Sequence, residues 1–268
     1  QHMYGADYST NSGDTVYKWS PDSGDTQVNG EVAIDAAGNV TFATIWDGGG
    51  TDTYDLSDFS ADLKLSLKAG ESSYFGADQT ALLGYNKGKA IYATGSIYNA
   101  LLYNKDTASL IENANGGSGN DTINGNLLNN IVYGNDGNDK IYGFEGNDEL
   151  SGGGGNNYID GGLGNDTIIV LGSGNNTLLG GLGDDLIAAN QSSGTNIITD
   201  TLGNNTVLGG SGADTIKTGA GNDFIDAGDG INIISAGAGN DTAIGGIGSD
   251  KISGEAGINY IVGYDGND

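Results

Sequence analysis

The sequence predicts an all-β protein whose second part, residues 116–268, is a solenoid of short parallel strands. Three observations carry this prediction: a nine-residue repeat, an aliphatic residue at the eighth position of nearly every repeat, and glycine at 51 of 268 positions. Glycine-rich turns suit a coiled chain because glycine adopts left-handed conformations at little cost. Proline occurs once and cysteine is absent, which excludes collagen and a disulfide-stapled fold.

The repeat begins at Gly116 with GGSGNDTIN, which matches the nonapeptide G-G-x-G-x-D-x-U-x, where U is a large aliphatic residue. About 17 such rows follow one another, the last one incomplete, with short insertions at Val170 and at Ala189 and Asn190. Position 8 is a large aliphatic residue in every complete row except one, where Ala243 stands. This agreement defines the register of the whole repeat.

Each row predicts a six-residue turn followed by a three-residue strand. Neighbours in a strand point to opposite faces, so position 8 points inward while positions 7 and 9 point outward. Two rows make one coil of 18 residues, and rows two apart stack as neighbouring parallel strands. The predicted core holds one aliphatic residue per row, which is too thin to stabilise a solenoid without further help.

The charge of the chain suggests what supplies that help. Acidic residues number 35 against 9 basic ones, a net charge of −26, which argues against nucleic acid or an anionic membrane as a partner. The only histidine, His2, lies in a Gln-His-Met triplet that we interpret as a cloning remnant. Stacked position-6 carboxylates and turn carbonyls form all-oxygen cages, which suit multiple Ca²⁺ ions better than zinc or copper. Folding and calcium binding are then one equilibrium.

The residues at position 6 rank the candidate calcium sites. Five pairs of stacked aspartates are the predicted tighter sites: Asp121 with Asp139, Asp148 with Asp166, Asp166 with Asp185, Asp223 with Asp241, and Asp250 with Asp268. Asp214 has asparagine on both sides and is a weaker candidate, and Gly117 and Gly119 are candidate carbonyl ligands in the first row. Three successive odd rows have asparagine at position 6, which favours an amide ladder without metal over weak calcium sites: Asn157, Asn176 and Asn196.

The repeats resemble those of the RTX family, secreted bacterial proteins with calcium-bound parallel β-rolls. Residues 4–115 contain GADYSTNSGDTVYKWS, TIWDGGGTDTYDLSDFSADLKLSL and SLIENANGGSGND, which resemble the region after the catalytic domain of serralysin-type metalloproteases. The resemblance implies a β-sandwich-like segment over 4–115 and a right-handed parallel β-roll over 116–268. It also implies a set of calcium ligands in the first segment: Asp14, Asp47, Gly49, Gly50, Asp52 and Glu112.

The residues themselves support these ligands unequally. Glu112 lies nine residues before Asp121, at position 6 of a degenerate row, which favours a ligand role without any resemblance. Asp47 and Asp52 bracket a glycine turn that would make an oxygen cage, although an ordinary Asp-Gly turn without metal explains the pattern too. Asp14 is as readily a capping or Asx-turn residue as a ligand.

These features predict a calcium-folded module of a secreted exoprotein, exported by a signal-peptide-independent type I route. The HExxHxxGxxH zinc motif of the serralysins is absent, so we expect no enzyme activity in this chain, and a separate catalytic domain is an expected partner. The alternative is an extracellular polysaccharide-binding or adhesive β-roll. Outward tyrosines would serve it, but they form no continuous strip: Tyr133, Tyr142, Tyr158, Tyr260 and Tyr264.

The outward positions of the even rows (the second, fourth and so on) are more apolar than those of the odd rows. An extended apolar strip seldom faces water without a reason, although β-propensity alone also explains it. We therefore predict that this face docks on a partner and is the more buried of the two. The residues concerned are Ile131, Tyr133, Ile169, Leu186, Leu208, Phe224, Ile244, Tyr260 and Val262.

Overall fold

The computed structural model describes residues 7–36 and 38–266, and the chain forms two compact units, 1–126 and 127–268. The described residues are almost entirely strands and turns, with two short 3-10 helices at Ala77–Gln79 and Thr107–Ser109. The prediction of an all-β protein is confirmed. No helix within the described ranges has the length and apolar character needed to cross a membrane.

The first unit contains strands β1 to β12 and a core of aromatic side chains. Trp19 is fully buried, its ring centroid 5.3 Å from those of both Tyr54 and Phe75. The strands pair in the orders β11-β5-β1-β2-β3, β4-β10-β7, β12-β6 and β8-β9. Their bounds are Val16–Ser20, Ser23–Val28, Glu31–Ile34, Ala43–Ile45, Thr53–Asp55, Lys64–Ser66, Ser72–Ser73, Leu82–Asn86, Lys89–Tyr92, Ile97–Asn99, Asn113–Asn115 and Thr122–Asn124. The last strand belongs to the first nonapeptide row, so that row lies in this unit.

The second unit is a solenoid of about eight coils built from strands β13 to β27. Odd-numbered strands stack as one parallel sheet, here sheet I, and even-numbered strands stack as the other, sheet II. The bounds are Ile131–Tyr133, Lys140–Glu145, Glu149–Gly153, Tyr158–Leu163, Thr167–Gly172, Thr177–Leu182, Leu186–Ser192, Ile197–Thr199, Thr206–Leu208, Thr215–Lys217, Phe224–Asp226, Ile233–Ser235, Thr242–Ile244, Lys251–Ser253 and Tyr260–Val262. The predicted parallel β-roll is confirmed.

The strand register follows the repeat, including across the insertions. Ile131 pairs with Glu149, whereas Leu186 pairs with Thr206 over the longer spacing that the two inserted residues create. Of the inserted residues, Val170 and Ala189 are fully buried, so they extend the apolar core rather than looping out. Position 8 is likewise buried from β13 to β25. The inward aliphatic file is therefore the core of the solenoid, as the sequence predicts.

The outward residues of both solenoid faces are at least partly exposed to solvent. In sheet I, which holds the even rows, Ile131 and Phe224 are 38% and 40% exposed. In sheet II, Ile197 and Ile233 are each 51% exposed, and neither sheet buries any outward residue fully. Ile131 and Phe224 are less exposed than Ile197 and Ile233, which is the predicted direction, but no outward residue of the even-row strands is buried within this chain. Docking of this face on a partner stays a prediction. β-Propensity is sufficient to explain its composition, because half-exposed strand positions favour such residues in any case.

Candidate metal centres at the turns of the solenoid

The position-6 side chains form two ladders along the turns of the second unit. In each ladder the side-chain Oδ1 accepts the backbone N–H of the position-6 residue one coil earlier, except that Asn196 Oδ1 accepts from the side-chain Nδ2 of Asn176. Asp166 Oδ1 accepts from the N–H of Asp148 at 2.8 Å, and Asp185 Oδ1 accepts from that of Asp166 at 2.7 Å. Asparagine serves equally, since Asn205 Oδ1 accepts from the N–H of Asp185 at 2.9 Å. Oδ1 therefore accepts a backbone N–H in aspartate and in asparagine alike.

The second side-chain atom separates aspartate from asparagine. The Nδ2 group of asparagine donates to glycine carbonyls of the turn, as in Asn176 to Gly174 at 3.0 Å and Asn205 to Gly203 at 3.2 Å. Aspartate presents an acceptor oxygen instead. In these aspartates Oδ2 is buried and receives no hydrogen bond: Asp148, Asp166, Asp185, Asp214, Asp223 and Asp241. A buried oxygen without a donor is costly, and a bound cation removes that cost.

Carbonyl oxygens of the next coil complete the surroundings of these carboxylates. A Cβ on Gly161 would stand within 2.6 Å of both Asp166 Oδ2 and the carbonyl oxygen of Gly180. Gly209 is similarly placed against Asp214 Oδ2 and the carbonyl oxygen of Ala227. Glycine at position 1 thus leaves open a space that oxygen atoms line. Such a donor set fits Ca²⁺, a hard cation that takes six to eight oxygen ligands.

Burial also alters the charge state of these aspartates. It raises the pKa of Asp148 to about 7 and the pKa values of Asp166 and Asp214 to about 6. The neighbouring carboxylate of Asp166 adds to the effect on Asp148. In the absence of a cation these groups therefore take up protons near neutral pH, whereas a bound divalent cation favours the ionised form.

The remaining predicted ligands of the repeat differ in their surroundings. Asp121 accepts the N–H of Leu63 at 2.8 Å through Oδ1 and that of Gly117 at 2.7 Å through Oδ2. Gly119, in the same nonapeptide row as Gly117 and Asp121, lies against the carbonyl of Ala61. Asp139 and Asp250 are both buried, and Asp268 lies outside the described residues.

The three consecutive asparagines form the predicted ladder of amides. The N–H of Asn157 donates to Asn176 Oδ1 at 3.0 Å, and Asn176 Nδ2 donates to Asn196 Oδ1 at 2.9 Å. Asn196 Nδ2 in turn donates to Asp214 Oδ1 at 3.0 Å. These hydrogen bonds satisfy the turn without a cation. The absence of metal from this run stays a prediction.

The first unit holds a second set of candidate ligands, linked by hydrogen bonds between distant segments. Asp52 Oδ1 accepts the N–H of Thr15 at 2.8 Å, and the N–H of Asp52 donates to Glu112 Oε2 at 2.7 Å. Asp14 Oδ1 accepts the N–H of Thr51 at 2.9 Å, so Asp14 caps the turn of another segment rather than its own. The structure therefore brings Asp14, Asp52 and Glu112 into one network.

Asp47 and the glycine turn lie beside this network. Asp47 is buried; its Oδ1 accepts the N–H of Gly49, and its Oδ2 accepts the hydroxyl of Tyr17, each at 2.7 Å. The bond to Gly49 is an Asx-turn, one of the two readings that the sequence leaves open. Gly50, with φ of +138°, packs against the carbonyl of Gly13, where a side chain would collide.

The electrostatics of the first unit resemble those of the solenoid turns. Asp52 Oδ2 is buried without a hydrogen-bond donor, and burial together with the Asp47 carboxylate raises the pKa of Asp52 to about 8. Burial raises the pKa of Glu112 as well. In the described part of the chain, no three acidic or histidine side chains are arranged to hold a metal by themselves. Backbone carbonyls would therefore complete any cation site in either unit.

Two features of the turns escaped sequence reasoning. Exposed side chains at position 5 form an outer ladder, with the N–H of Asn165 donating to Asn147 Oδ1 at 2.7 Å and that of Asn156 to Asn138 Oδ1 at 2.8 Å. The signal was the recurrence of asparagine at this nominally free position. The other feature is Asp200, a buried carboxylate at position 1, where its row departs from glycine.

Coils of parallel strands whose turns present buried carboxylate and carbonyl oxygens define a calcium-binding repeat protein. The family of the RTX calcium-binding nonapeptide repeat (4 copies) matches at 115–143, 133–168, 168–193, 190–225, 226–261 and 244–268. These matches together cover more than half of the chain, which belongs to this family. A second family, Peptidase M10 serralysin C terminal, matches residues 6–82.

Curated relatives extend the similarity to named proteins. Serralysin G of Dickeya chrysanthemi is 38% identical over 121 residues, which are 45% of this chain and 20% of that protein. Metalloprotease AprA of Pseudomonas entomophila (strain L48) is 36% identical over 121 residues, again 45% of this chain and 20% of that protein. Serralysin of Proteus mirabilis is 36% identical over 101 residues, 38% of this chain and 18% of that protein. The chain thus matches about a fifth of each relative and is a calcium-binding module that resembles the non-catalytic C-terminal part of serralysins.

Proposed function

We propose that this chain is the calcium-folded, non-catalytic part of a secreted exoprotein. In calcium-poor surroundings the solenoid stays unfolded, and it folds where calcium reaches the level at which extracellular modules bind, about 10⁻⁴–10⁻³ M. The single observation that carries this proposal is the series of buried aspartate Oδ2 atoms without hydrogen-bond donors, from Asp148 to Asp241. Such a series is unstable as a set of bare carboxylates and stable around divalent cations.

The ions of this proposal occupy the solenoid turns and the first unit. In the solenoid the ligands are the position-6 aspartates and turn carbonyls, with the stacked aspartate pairs binding most tightly. In the first unit Asp52 is the central ligand, since its Oδ2 lacks a donor, and Glu112 and Asp47 flank it. Asp14 and the carbonyls of Gly49 and Gly50 complete that proposed set.

The proposal assigns the chain no catalytic step. Its support is that one match falls on the serralysin C-terminal family and the other on the calcium repeat. A catalytic domain in the same exoprotein is the proposed partner. Secretion without a classical signal peptide, by a type I system, would deliver the chain unfolded to the outside, because low calcium inside the cell delays folding.

A calcium titration of the full chain tests the proposal. Far-UV circular dichroism reports the strands, and equilibrium dialysis with radioactive calcium counts the ions; magnesium at equal concentration is the control. We expect a cooperative gain of β-signal with several ions bound in the calcium arm only. A β-spectrum that is identical with calcium and with excess chelator would refute calcium-dependent folding.

A further inference from the structure

We infer that Asp200 and Asp185 together form a calcium site in a turn where the nonapeptide rule predicts only a weak one. Each candidate site lies between the position-6 residues of two rows that are two apart. The residue stacked after Asp185 is Asn205 rather than a second aspartate. Asn205 Oδ1 accepts the N–H of Asp185, and Asn205 Nδ2 donates to the carbonyl of Gly203. Asn205 therefore offers no carboxylate oxygen to a cation.

Asp200 supplies the missing carboxylate from a different position of the repeat. It stands at position 1 of the same row as Asn205, where the preceding even rows have Gly143, Gly161 and Gly180. Its side chain is 2% exposed, and that of Asp185 is 3% exposed. A carboxylate is rarely buried to this extent unless it is paired.

The two carboxylates point at a common space. A Cβ on Gly180 would stand within 2.6 Å of both Asp200 Oδ2 and Asp185 Oδ2. Each carboxylate already accepts a backbone N–H through Oδ1, from Thr201 for Asp200 and from Asp166 for Asp185. Both Oδ2 atoms are buried and receive no hydrogen bond.

Charge balance requires a cation or a proton in this space. Two acceptor oxygens repel unless something positive stands between them. The salt bridges of Lys18 go to Asp55 and Asp58, and within the described ranges no lysine forms a salt bridge with Asp185 or Asp200. Two carboxylate oxygens are hard donors, and Ca²⁺ is the cation that such donors prefer. The pair thus restores in one turn the two carboxylates that stacked position-6 aspartates supply elsewhere.

The experiment removes the carboxylate of position 1 in this turn and then restores a carboxylate at position 6, with the whole chain as the background. Asp200→Asn removes it, and the double variant Asp200→Asn/Asn205→Asp returns it at position 6. Asp229→Asn, an exposed carboxylate in a later turn, is the control for the change of net charge. Ion number and affinity are measured by equilibrium dialysis with radioactive calcium at pH 8, where a shared proton is disfavoured.

This inference rests on the proposed function, and the outcomes separate the two. We expect Asp200→Asn to bind one ion fewer or to need at least about tenfold more calcium for that ion, while the double variant recovers it and Asp229→Asn matches the parent. Unchanged binding by Asp200→Asn would overturn the site and leave calcium-dependent folding intact. A loss that Asn205→Asp does not recover would also overturn it, since Asp200 would then act structurally.

Two further results complete the test. If Asp200→Asn fails to fold at any calcium concentration, recovery of folding in the double variant supports the site, and failure of both overturns it. A parent chain that binds no calcium would overturn the site and the proposed function together.

Discussion

Two runs of turns in the solenoid have the same backbone arrangement and differ in one side-chain atom at position 6. The aspartate run, Asp148, Asp166 and Asp185, and the asparagine run, Asn157, Asn176 and Asn196, both stack along the coils through hydrogen bonds that accept at Oδ1. In the asparagine run Nδ2 donates to turn carbonyls or side-chain oxygens, whereas in the aspartate run Oδ2 has no donor. The ladder is thus independent of charge, and in these two runs only the aspartates leave a buried oxygen without a donor.

Removal of calcium has the largest expected effect and sharpens this comparison. With excess chelator we expect the strand signal in far-UV circular dichroism to collapse, because uncompensated buried carboxylates destabilise the turns. Hydrogen exchange at intermediate calcium separates the runs: the amides of Asp148 and Asp166, which donate to aspartate Oδ1 atoms, should lose protection before the amide of Asn157, which donates to Asn176 Oδ1. Simultaneous loss of protection in both runs would contradict a turn-by-turn demand for cations.

Substitution of single aspartates gives the next largest effect. Asp166 belongs to two stacked aspartate pairs, whereas Asp214 has asparagine on both sides, so Asp166→Ala should reduce the cooperativity of calcium binding more than Asp214→Ala. We expect a difference on the order of tenfold in the calcium midpoint, which corresponds to about 1.4 kcal/mol. Calcium titrations followed by circular dichroism compare the variants. Equal midpoints would mean that a second stacked carboxylate does not tighten calcium binding.

The pH dependence of the metal-free chain should be weaker than these effects and of a definite sign. Burial raises the pKa of Asp148 from 3.8 to about 7 and that of Asp166 to about 6. A carboxyl with a raised pKa in the folded state stabilises that state at low pH, and this stability disappears as pH rises towards the folded pKa. Residual structure without calcium should therefore decrease between about pH 4 and pH 7.

Far-UV circular dichroism of the chelated chain at several pH values measures this residual strand signal, and Asp148→Asn should flatten its pH dependence. With saturating calcium the trend should reverse, because the cation binds the ionised carboxylates. Chelated chain that gains stability as pH rises over this range would contradict the assigned cause.

The smallest expected effect concerns the outer ladder, which serves both runs alike. Asn165 lies in the aspartate run and Asn156 in the asparagine run, and each accepts the N–H of the next coil, from Asp184 at 2.9 Å and Asn175 at 2.7 Å. Asn165→Ala and Asn156→Ala should each cost about 1 kcal/mol of unfolding free energy in calcium. Denaturant titrations measure that cost, and the calcium midpoints should stay together. A midpoint shift confined to Asn165→Ala would show that the outer ladder also governs cation binding.

The regularity of the repeat explains how much of the solenoid could be predicted. A nine-residue period with an inward aliphatic at position 8 specifies coil length, strand pairing and core, because each coil contacts only its neighbours. The register survives the insertions since the pairing of Thr177 with Ile197 aligns the same repeat position across them. The choice of Asp or Asn at position 6 likewise separates turns with a buried Oδ2 that lacks a donor from turns whose side-chain amide donates to a carbonyl, since that choice is local.

The tertiary structure decided the features that depend on contacts which do not follow the nine-residue repeat. The exposure of Ile131 and Phe224 depends on what packs against the sheet, which composition does not reveal, and within this chain both residues stay partly exposed. Asp200 breaks the glycine pattern, and only folding places it beside Asp185. The first unit joins Asp14, Asp52 and Glu112 across long stretches of chain. The sequence by itself determined what repeats, because stacking neighbours repeat the same short-range geometry; non-repeating contacts between distant residues depend on the whole packing and became visible only in the folded chain.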